Sequence, residues 1–210
     1  MQPSTPESIT FDVDRPDRPL DRFSSIFRLF FAVPILVVLA AIGGPGVSET
    51  EGDGVAVAGI AGAILFLPPL LTIVFRQKYP RWWFDFNQAY LAFNNRVIAY
   101  LLLLRDEYPS TDEEQAVHLH MPYPDVRTDL NRWMPLAKWF LAIPHYVVLF
   151  VLDIGVVLAA VAAWFSIAVT GRYPQGLFDF TVGVMRWHNR VVGYAFALVT
   201  DQYPPFRLSA

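Results

Sequence analysis

The sequence predicts an all-α membrane protein of two tandem repeats, each with a short cytoplasmic strand, a transmembrane helical hairpin and an amphipathic interfacial helix. Three observations predict this class: an internal repeat, long runs of apolar residues and a low content of charge. Of the 210 residues, 54% are hydrophobic and only 17% are charged, whereas soluble domains average roughly 25% charged residues. The apolar residues are also grouped into runs, which indicates segments that enter a membrane.

The internal repeat is clearest between residues 79–97 and 173–191. These segments align without a gap at an offset of 94, and eight of the nineteen positions are identical. Self-similarity at a fixed offset is typical of tandem duplication. The alignment predicts a first repeat over residues 1–109, a polar linker over 110–116 and a second repeat over 117–210.

Each repeat is predicted to begin with a short strand. Ile9–Val13 and Val117–Met121 both alternate apolar and polar residues, which is the pattern of a half-buried strand. Two such strands could pair with each other, and pairing would support elements that are too short to be stable alone.

The apolar runs that follow are predicted to form hairpins over about 26–75 and about 136–169. The alignment offset falls from 110 to 94 between the arms, so the first hairpin carries a loop longer by 16 residues. One continuous helix over the second run would measure about 51 Å, well beyond a hydrocarbon core of about 30 Å. A tight turn near Asp153 is therefore expected. Pro34 and Pro144 are expected to kink the first arms.

The placement of basic residues predicts the topology. The hairpin loop Gly43–Gly54 and the turn near Asp153 carry no Lys or Arg, whereas basic residues flank the open ends of both hairpins. By the positive-inside rule, both termini and the linker are expected in the cytoplasm.

The closing segment of each repeat is apolar but contains polar residues at helical spacing. We expect amphipathic helices over about 83–104 and about 177–199, lying at the membrane interface. The alternative is that each is a third spanning helix, which would give six spans and inverted repeats as in many transporters.

Two acid–base pairs recur at equivalent positions, Asp85 with Arg96 and Asp179 with Arg190. If the two helices lie antiparallel, Asp85 could pair with Arg190 and Asp179 with Arg96. Arginines at a bilayer surface could instead bind lipid phosphate. The candidates for inter-repeat pairing or headgroup binding are Asp85, Arg96, Asp179, Arg190, Arg186, Arg172 and Lys78.

Histidines and one acid supply the other candidates. His145 and Asp153 form a possible polar site at membrane depth, although a hydrogen-bonded packing role for His145 is the competing interpretation. His118 and His120 lie on one face of a strand and are weak candidates for metal ligands, because no Cys or carboxylate cluster completes the set. No cofactor is predicted, and no catalytic motif is recognisable, so an enzyme is not expected.

The second repeat resembles a bacterial membrane family known as domain of unknown function 4389. The matching strings are LAIPHYVVL at 141–149, SIAVTGRYPQGLFDF at 166–180, RWHNRVVGYAF at 186–196 and VTDQYPPF at 199–206. The first repeat keeps part of this pattern but has Gln77 and Trp82 where the second has Gly171 and Gly176. The resemblance implies a multi-pass protein of the bacterial cytoplasmic membrane and implies no activity.

Two classes of function remain open at this point. The first is a non-enzymatic scaffold or lipid-interacting accessory protein, whose partners are membrane lipids, possibly anionic ones. The second is a small channel or transporter with a site between the repeats. A net charge of −3 gives no basic footprint for nucleic acid.

Overall fold

The computed structural model describes residues 9–43 and 66–209, and its elements are mostly helical. The predicted loop Gly43–Gly54 and the first part of the second arm of that hairpin lie almost entirely outside these ranges. In chain order the elements are β1 Thr10–Val13, α1 Arg22–Ile26, α2 Arg28–Gly43, α3 Phe66–Arg76, α4 Arg81–Leu101, β2 Val117–His120, α5 Pro135–Leu141, α6 Ile143–Thr170 and α7 Gln175–Ala195.

The two predicted strands exist and form an antiparallel pair. Phe11 lies opposite Leu119, and Thr10 lies opposite His120. Phe11 and Leu119 hold the same place in the two strands, so the register is symmetric about this pair. Phe11 is buried, whereas Thr10 and His120 are exposed. The sheet therefore has one apolar face toward the protein and one polar face away from it.

Helices α4 and α7 run antiparallel. Leu103, just after α4, clusters with Tyr173 near the start of α7, and Ala197, just after α7, accepts a 2.9 Å hydrogen bond from the Tyr79 hydroxyl near the start of α4. Each helix has 21 residues, about 31 Å of helix. The start of α4 and the start of α7 therefore lie at opposite ends of the molecule.

The chain is arranged in three layers with α4 and α7 in the middle. On one side β1 packs on α7 and β2 on α4; on the other α6 packs on α7 and α2 on α4. On α7, Val182 and Met185 face the sheet, while Val184 and Val191 face α6. Residues at these spacings lie on opposite sides of a helix. Helix α7, which is predicted to lie at the membrane interface, is therefore packed on both faces.

The predicted turn near Asp153 is wrong, because α6 is one continuous helix of 28 residues. Gly155 alone lowers helix stability by about 1 kcal/mol, which neighbouring residues can offset. Gly155 also gives close packing, since a Cβ there would lie 3.1 Å from the Phe180 ring. The helical run is interrupted earlier, at Ala142 between α5 and α6, and Pro144 lies in the first turn of α6, where its missing N–H costs nothing. Pro34, by contrast, lies inside α2.

Among the described residues, α6 is the one helix long and apolar enough to cross a membrane. Helices α2 and α3 are apolar but shorter over their described lengths. Only 22% of the most apolar window of α6 is buried, so α6 does not resemble the enclosed core helix of a soluble protein.

Candidate functional site

The centre of the molecule is a reciprocal pair of asparagines. Asn95 Nδ2 donates to Asn189 Oδ1 at 2.7 Å, and Asn189 Nδ2 donates to Asn95 Oδ1 at 2.9 Å. Both side chains are buried, and each also donates to a carbonyl four residues earlier in its own helix, that of Leu91 or Met185. The two asparagines are 94 residues apart, the offset of the sequence repeat. With Phe11 and Leu119, this pair marks an approximate twofold axis through the layers.

The predicted cross-pairs of Asp85 with Arg190 and of Asp179 with Arg96 are wrong. Asp85 pairs with Arg81 in its own helix at 3.2 Å, and Asp179 pairs with Arg15 of the N-terminal half. The middle of the α4–α7 contact is occupied by the neutral asparagines. A buried neutral pair that satisfies its own hydrogen bonds avoids the desolvation cost of a buried ion pair.

The carboxylates of Asp85 and Asp179 have basic partners from different places. Position 175, which matches Arg81, is Gln175 and carries no charge. Arg15 supplies the missing cation and lies 5.8 Å from the centre of the Phe178 ring. Both carboxylates are therefore neutralised without pairing to the opposite helix.

Arg96, Arg190 and Arg186 bind the backbone of nearby segments. Arg96 Nη1 donates to the Ser110 carbonyl at 2.8 Å, and Arg190 Nη2 donates to the Arg207 carbonyl at 2.6 Å. Arg186 donates from Nε to the Phe11 carbonyl at 2.9 Å and from Nη2 to Asp12 at 3.0 Å. These three arginines hold the linker, the C-terminal tail and β1 against α4 and α7, so they are poorly placed to bind lipid.

Both halves also contain a buried basic side chain, Lys138 in the second half and Arg28 in the first. Lys138 is fully buried, and its Nζ donates to the Thr200 carbonyl and pairs with Asp201, both at 2.7 Å. Arg28 is equally enclosed, donates to the Arg105 carbonyl at 2.7 Å and pairs with Asp106.

The rest of each cation site also matches between the halves. Asp201 accepts a 2.6 Å hydrogen bond from the Asn131 N–H, and Asp106 accepts a 2.7 Å hydrogen bond from the Asp21 N–H. Burial lowers the pKa of Lys138, and the Asp201 carboxylate partly opposes that shift. Each cation thus ties the start of its half to the segment after its last helix.

One surface cavity, pocket A, lies where α3 ends and α4 begins, and has a volume of about 690 Å³. Its lining residues are Thr72, Arg76, Lys78, Tyr79, Pro80, Arg81, Trp82, Asp85 and Tyr123. The Arg81 guanidinium lies 4.7 Å from the centre of the Tyr123 ring, and the Tyr123 hydroxyl donates to the Tyr79 carbonyl at 2.5 Å. These contacts hold the aromatic wall of the pocket in place.

The second cavity, pocket B, lies at the matching place where α6 ends and α7 begins, and its volume is about 330 Å³. Its lining residues are Arg15, Pro16, Asp17, Arg18, Pro19, Leu20, Gly171, Arg172, Tyr173, Gln175 and Phe178. Gly171 ends α6 with a left-handed φ of 72°, and its carbonyl accepts from the Leu20 N–H at 2.8 Å. Two of the predicted headgroup residues, Lys78 and Arg172, therefore lie in pockets A and B respectively.

His145 is a packing histidine in this structure. Its ring is fully buried and lies 4.1 Å from the Phe206 ring in a stacked arrangement, and its Nδ1 accepts from Trp187 Nε1 at 3.1 Å. Asp153 lies elsewhere on α6, half exposed, with its Oδ2 3.4 Å from His188 Nε2. The two predicted polar residues thus do not form one site.

His118 and His120 both lie on the exposed face of the sheet. His118 Nε2 lies 3.0 Å from Asp14 Oδ2. Within residues 9–43 and 66–209, no group of three His, Cys, Asp or Glu side chains is arranged to hold a metal ion.

Sequence reasoning passed over the asparagine pair and the buried cations, although a signal for them existed. Asn95 and Asn189 are identical in the two repeats, and Arg28 aligns with Lys138. The neighbouring Asp and Arg residues give a stronger sequence signal, because charges are costly in a membrane. Identity between repeats also marks residues that meet at a symmetry axis.

These features define a mostly helical protein with one two-stranded sheet and an apolar outer layer. Residues 132–207 match the family model described as Domain of unknown function (DUF4389), which supports the resemblance for the C-terminal half. No curated protein and no solved structure matches the chain.

Proposed function

We propose that the protein is a non-enzymatic scaffold or lipid-interacting accessory protein embedded in one leaflet of the bacterial cytoplasmic membrane. In this proposal α2, α3 and α6 lie in the lipid, α4 and α7 lie at the interface, and the sheet and both termini face the cytoplasm. The observation that carries it is the polarity of the three layers. Apolar side chains cover one outside face, and polar side chains cover the other.

The apolar face is the outer surface of α2, α3 and α6. Along α6 a stripe of large side chains at helical spacing is exposed: Val147, Val151, Ile154, Leu158, Val161, Phe165 and Val169. On α2, Leu29 and Phe30 are 76% and 78% exposed. Soluble monomers rarely leave contiguous apolar surface of this kind uncovered, and such surfaces mark membrane or protein contacts.

The polar face is the outer surface of the sheet, where Thr10, Asp12, His118 and His120 are exposed. The strands run along α7, because Ile9 lies against Gly193 and the Phe11 carbonyl binds Arg186. Helix α7 in turn runs antiparallel to α6. The sheet and α7 therefore lie alongside the first half of α6.

This shared direction favours an in-plane α6 over a crossing one. If α6 crossed the bilayer, Asp12 and Arg186 would lie at hydrocarbon depth on the outside of the molecule. Each charged residue at the bilayer centre costs at least about 2.5–3.5 kcal/mol. With α6 in the membrane plane, all the charges of the sheet layer stay in water.

Exposed tryptophans fit the same placement. Trp82, Trp133 and Trp139 are 66%, 62% and 44% exposed, and all three lie near the ends of the apolar helices. Tryptophan is enriched at the membrane–water interface because its ring is apolar and its N–H is polar.

A channel or transporter with a site between the repeats has less support. Between α4 and α7 the described side chains are packed and hydrogen bonded around Asn95 and Asn189. His145, the polar residue expected to line a path, is enclosed by Trp187, Tyr203 and Phe206.

The test is a depth measurement along α6. The chain has no cysteine, so single cysteines at Val147, Ile154, Val161 and Val169 can each carry a fluorophore in liposomes. Quenching by lipids labelled at different depths should report similar shallow depths at all four sites, and Asp112→Cys should stay accessible to water. A depth maximum at Ile154 and Val161, with shallow values at Val147 and Val169, would show a crossing helix and contradict the proposal.

A further inference from the structure

We infer that pocket A is a binding site for the phosphate group of an anionic phospholipid. Nothing in the family match assigns a ligand to this site, which is built from the end of α3 and the start of α4. The lipid source of the phosphate rests on the proposed function, whereas the phosphate chemistry rests on the pocket alone.

The charges of pocket A are suited to an anion. Its basic side chains Arg76, Lys78 and Arg81 outnumber its one carboxylate, Asp85, which Arg81 neutralises at 3.2 Å. Arg76 and Lys78 are exposed, and neither has an acidic partner within ion-pair distance in the described part of the chain. Two unneutralised cations beside a cavity are the usual means of binding phosphate oxygens.

The end of α3 places Arg76 and Lys78 close together. The C-terminal end of a helix carries a partial negative charge, which favours basic residues there. The last turn of α3 holds Arg76, and its Val74 carbonyl accepts a 2.6 Å hydrogen bond from Arg132 Nε. Lys78 follows at once, and its backbone N–H donates to the Thr72 carbonyl at 3.3 Å.

An apolar surface continues from the pocket, as a phospholipid requires. Phe75 is 71% exposed beside Arg76, Leu71 is 50% exposed one turn earlier, and Trp82 closes the other side. A phospholipid whose phosphate is bound at Arg76 and Lys78 would place its acyl chains along the exposed face of α3. A free phosphate would use only the polar part of this surface.

Pocket B offers a weaker version of the same site. It has about half the volume, Asp17 lies on its wall, and Arg15 is paired with Asp179. Arg172 remains exposed. The comparison predicts that pocket A binds the anionic lipid more tightly than pocket B.

Calorimetric titration of the full chain in detergent micelles at low salt tests the inference. The probes are short-chain phosphatidylglycerol, short-chain phosphatidylcholine and glycerol 3-phosphate. Phosphatidylglycerol should bind most tightly, and Arg76→Gln and Lys78→Gln should each weaken it about fivefold, the usual effect of one basic residue at an anionic surface. Arg172→Gln should have a smaller effect. Arg207→Gln, which removes an exposed cation outside both pockets, should have none.

Several outcomes would overturn the inference. Equal affinity of the wild type and of the Arg76 and Lys78 variants for phosphatidylglycerol would show that pocket A is not the binding site. Equal weakening of this affinity by Arg207→Gln would show the same. If glycerol 3-phosphate binds as tightly as phosphatidylglycerol, the inference that the phosphate belongs to a lipid is wrong. Flotation of the same proteins with zwitterionic liposomes separates the two proposals, because the pocket variants should float like the wild type. Failure of the wild type itself to float would contradict the membrane placement and leave the phosphate result standing.

Discussion

Replacing Asn95 by Ala should destabilise the fold by about 3–5 kcal/mol. The change removes two hydrogen bonds to Asn189, of 2.7 and 2.9 Å, each with a net value of about 1 kcal/mol. It also leaves the buried Asn189 Oδ1 without its partner, and an unsatisfied buried acceptor adds roughly 1–3 kcal/mol to the cost. Asn189→Ala should have a similar effect, because the geometry is nearly symmetric.

The double substitution should cost clearly less than the sum of the two single ones. Once both amides are gone, no polar atom of the pair is stranded, and residues in one hydrogen-bond network typically couple by about 0.5–3 kcal/mol. Free energies of unfolding from reversible SDS titration in mixed micelles would give the cycle. Asn94→Ala is the control, since Asn94 is adjacent in sequence and only half buried.

The measured coupling decides whether the pair holds the two halves together. If the two single effects add to within about 0.5 kcal/mol, the asparagines act independently, and the axis through Asn95 and Asn189 has no energetic role. If Asn94→Ala costs as much as Asn95→Ala, the effect belongs to α4 as a whole and not to the pair.

Three further predictions follow from the packing. Lys138→Met should destabilise by about 3–5 kcal/mol, because it strands the Asp201 carboxylate, and in chemical unfolding the double variant with Asp201→Asn should recover part of the loss. Burial raises the pKa of Tyr79 well above its usual value near 10, so the unfolded state loses this proton first. The free energy of unfolding should therefore fall as pH rises above about 10. The fall should be smaller in Tyr79→Phe, and an equal fall would refute the assignment of this pH dependence to Tyr79. Gln77 has a left-handed φ of 46° at the place of Gly171, and since this conformation costs a non-glycine residue about 1–2 kcal/mol, Gln77→Gly should raise the melting temperature while Gly171→Gln lowers it.

Several local features could be predicted from the sequence. The alternation in Ile9–Val13 and Val117–Met121 located both strands and suggested their pairing, because strand periodicity depends only on which side chains face the core. Helices were expected over about 83–104 and about 177–199, and they run over Arg81–Leu101 and Gln175–Ala195. These elements are set by side-chain order along the chain, which the sequence contains in full.

The pairing of side chains between distant segments needed the tertiary structure. The sequence shows Asp85 and Asp179 as a repeated feature, but their partners Arg81 and Arg15 depend on which cation lies within reach after folding. The sequence alone could not show that neutral asparagines, and not charges, occupy the axis. Burial there makes unpaired charge costly, and that burial exists only once α4 and α7 have met.

For α6 too, part of the structure could be predicted from the sequence and part needed the tertiary structure. Hydropathy identified residues 136–169 as one apolar run, but the matching insertion in the first half suggested a turn at Asp153 that does not exist. Loop length in one repeat carries no information on helix continuity in the other. Helix α6 continues through Asp153 because Gly155 packs against Phe180 and because α7 packs against Leu149 and Val156 on either side of that position. The sequence thus determined where apolar and polar side chains lie along the chain, and packing against α7 decided that the helix continues.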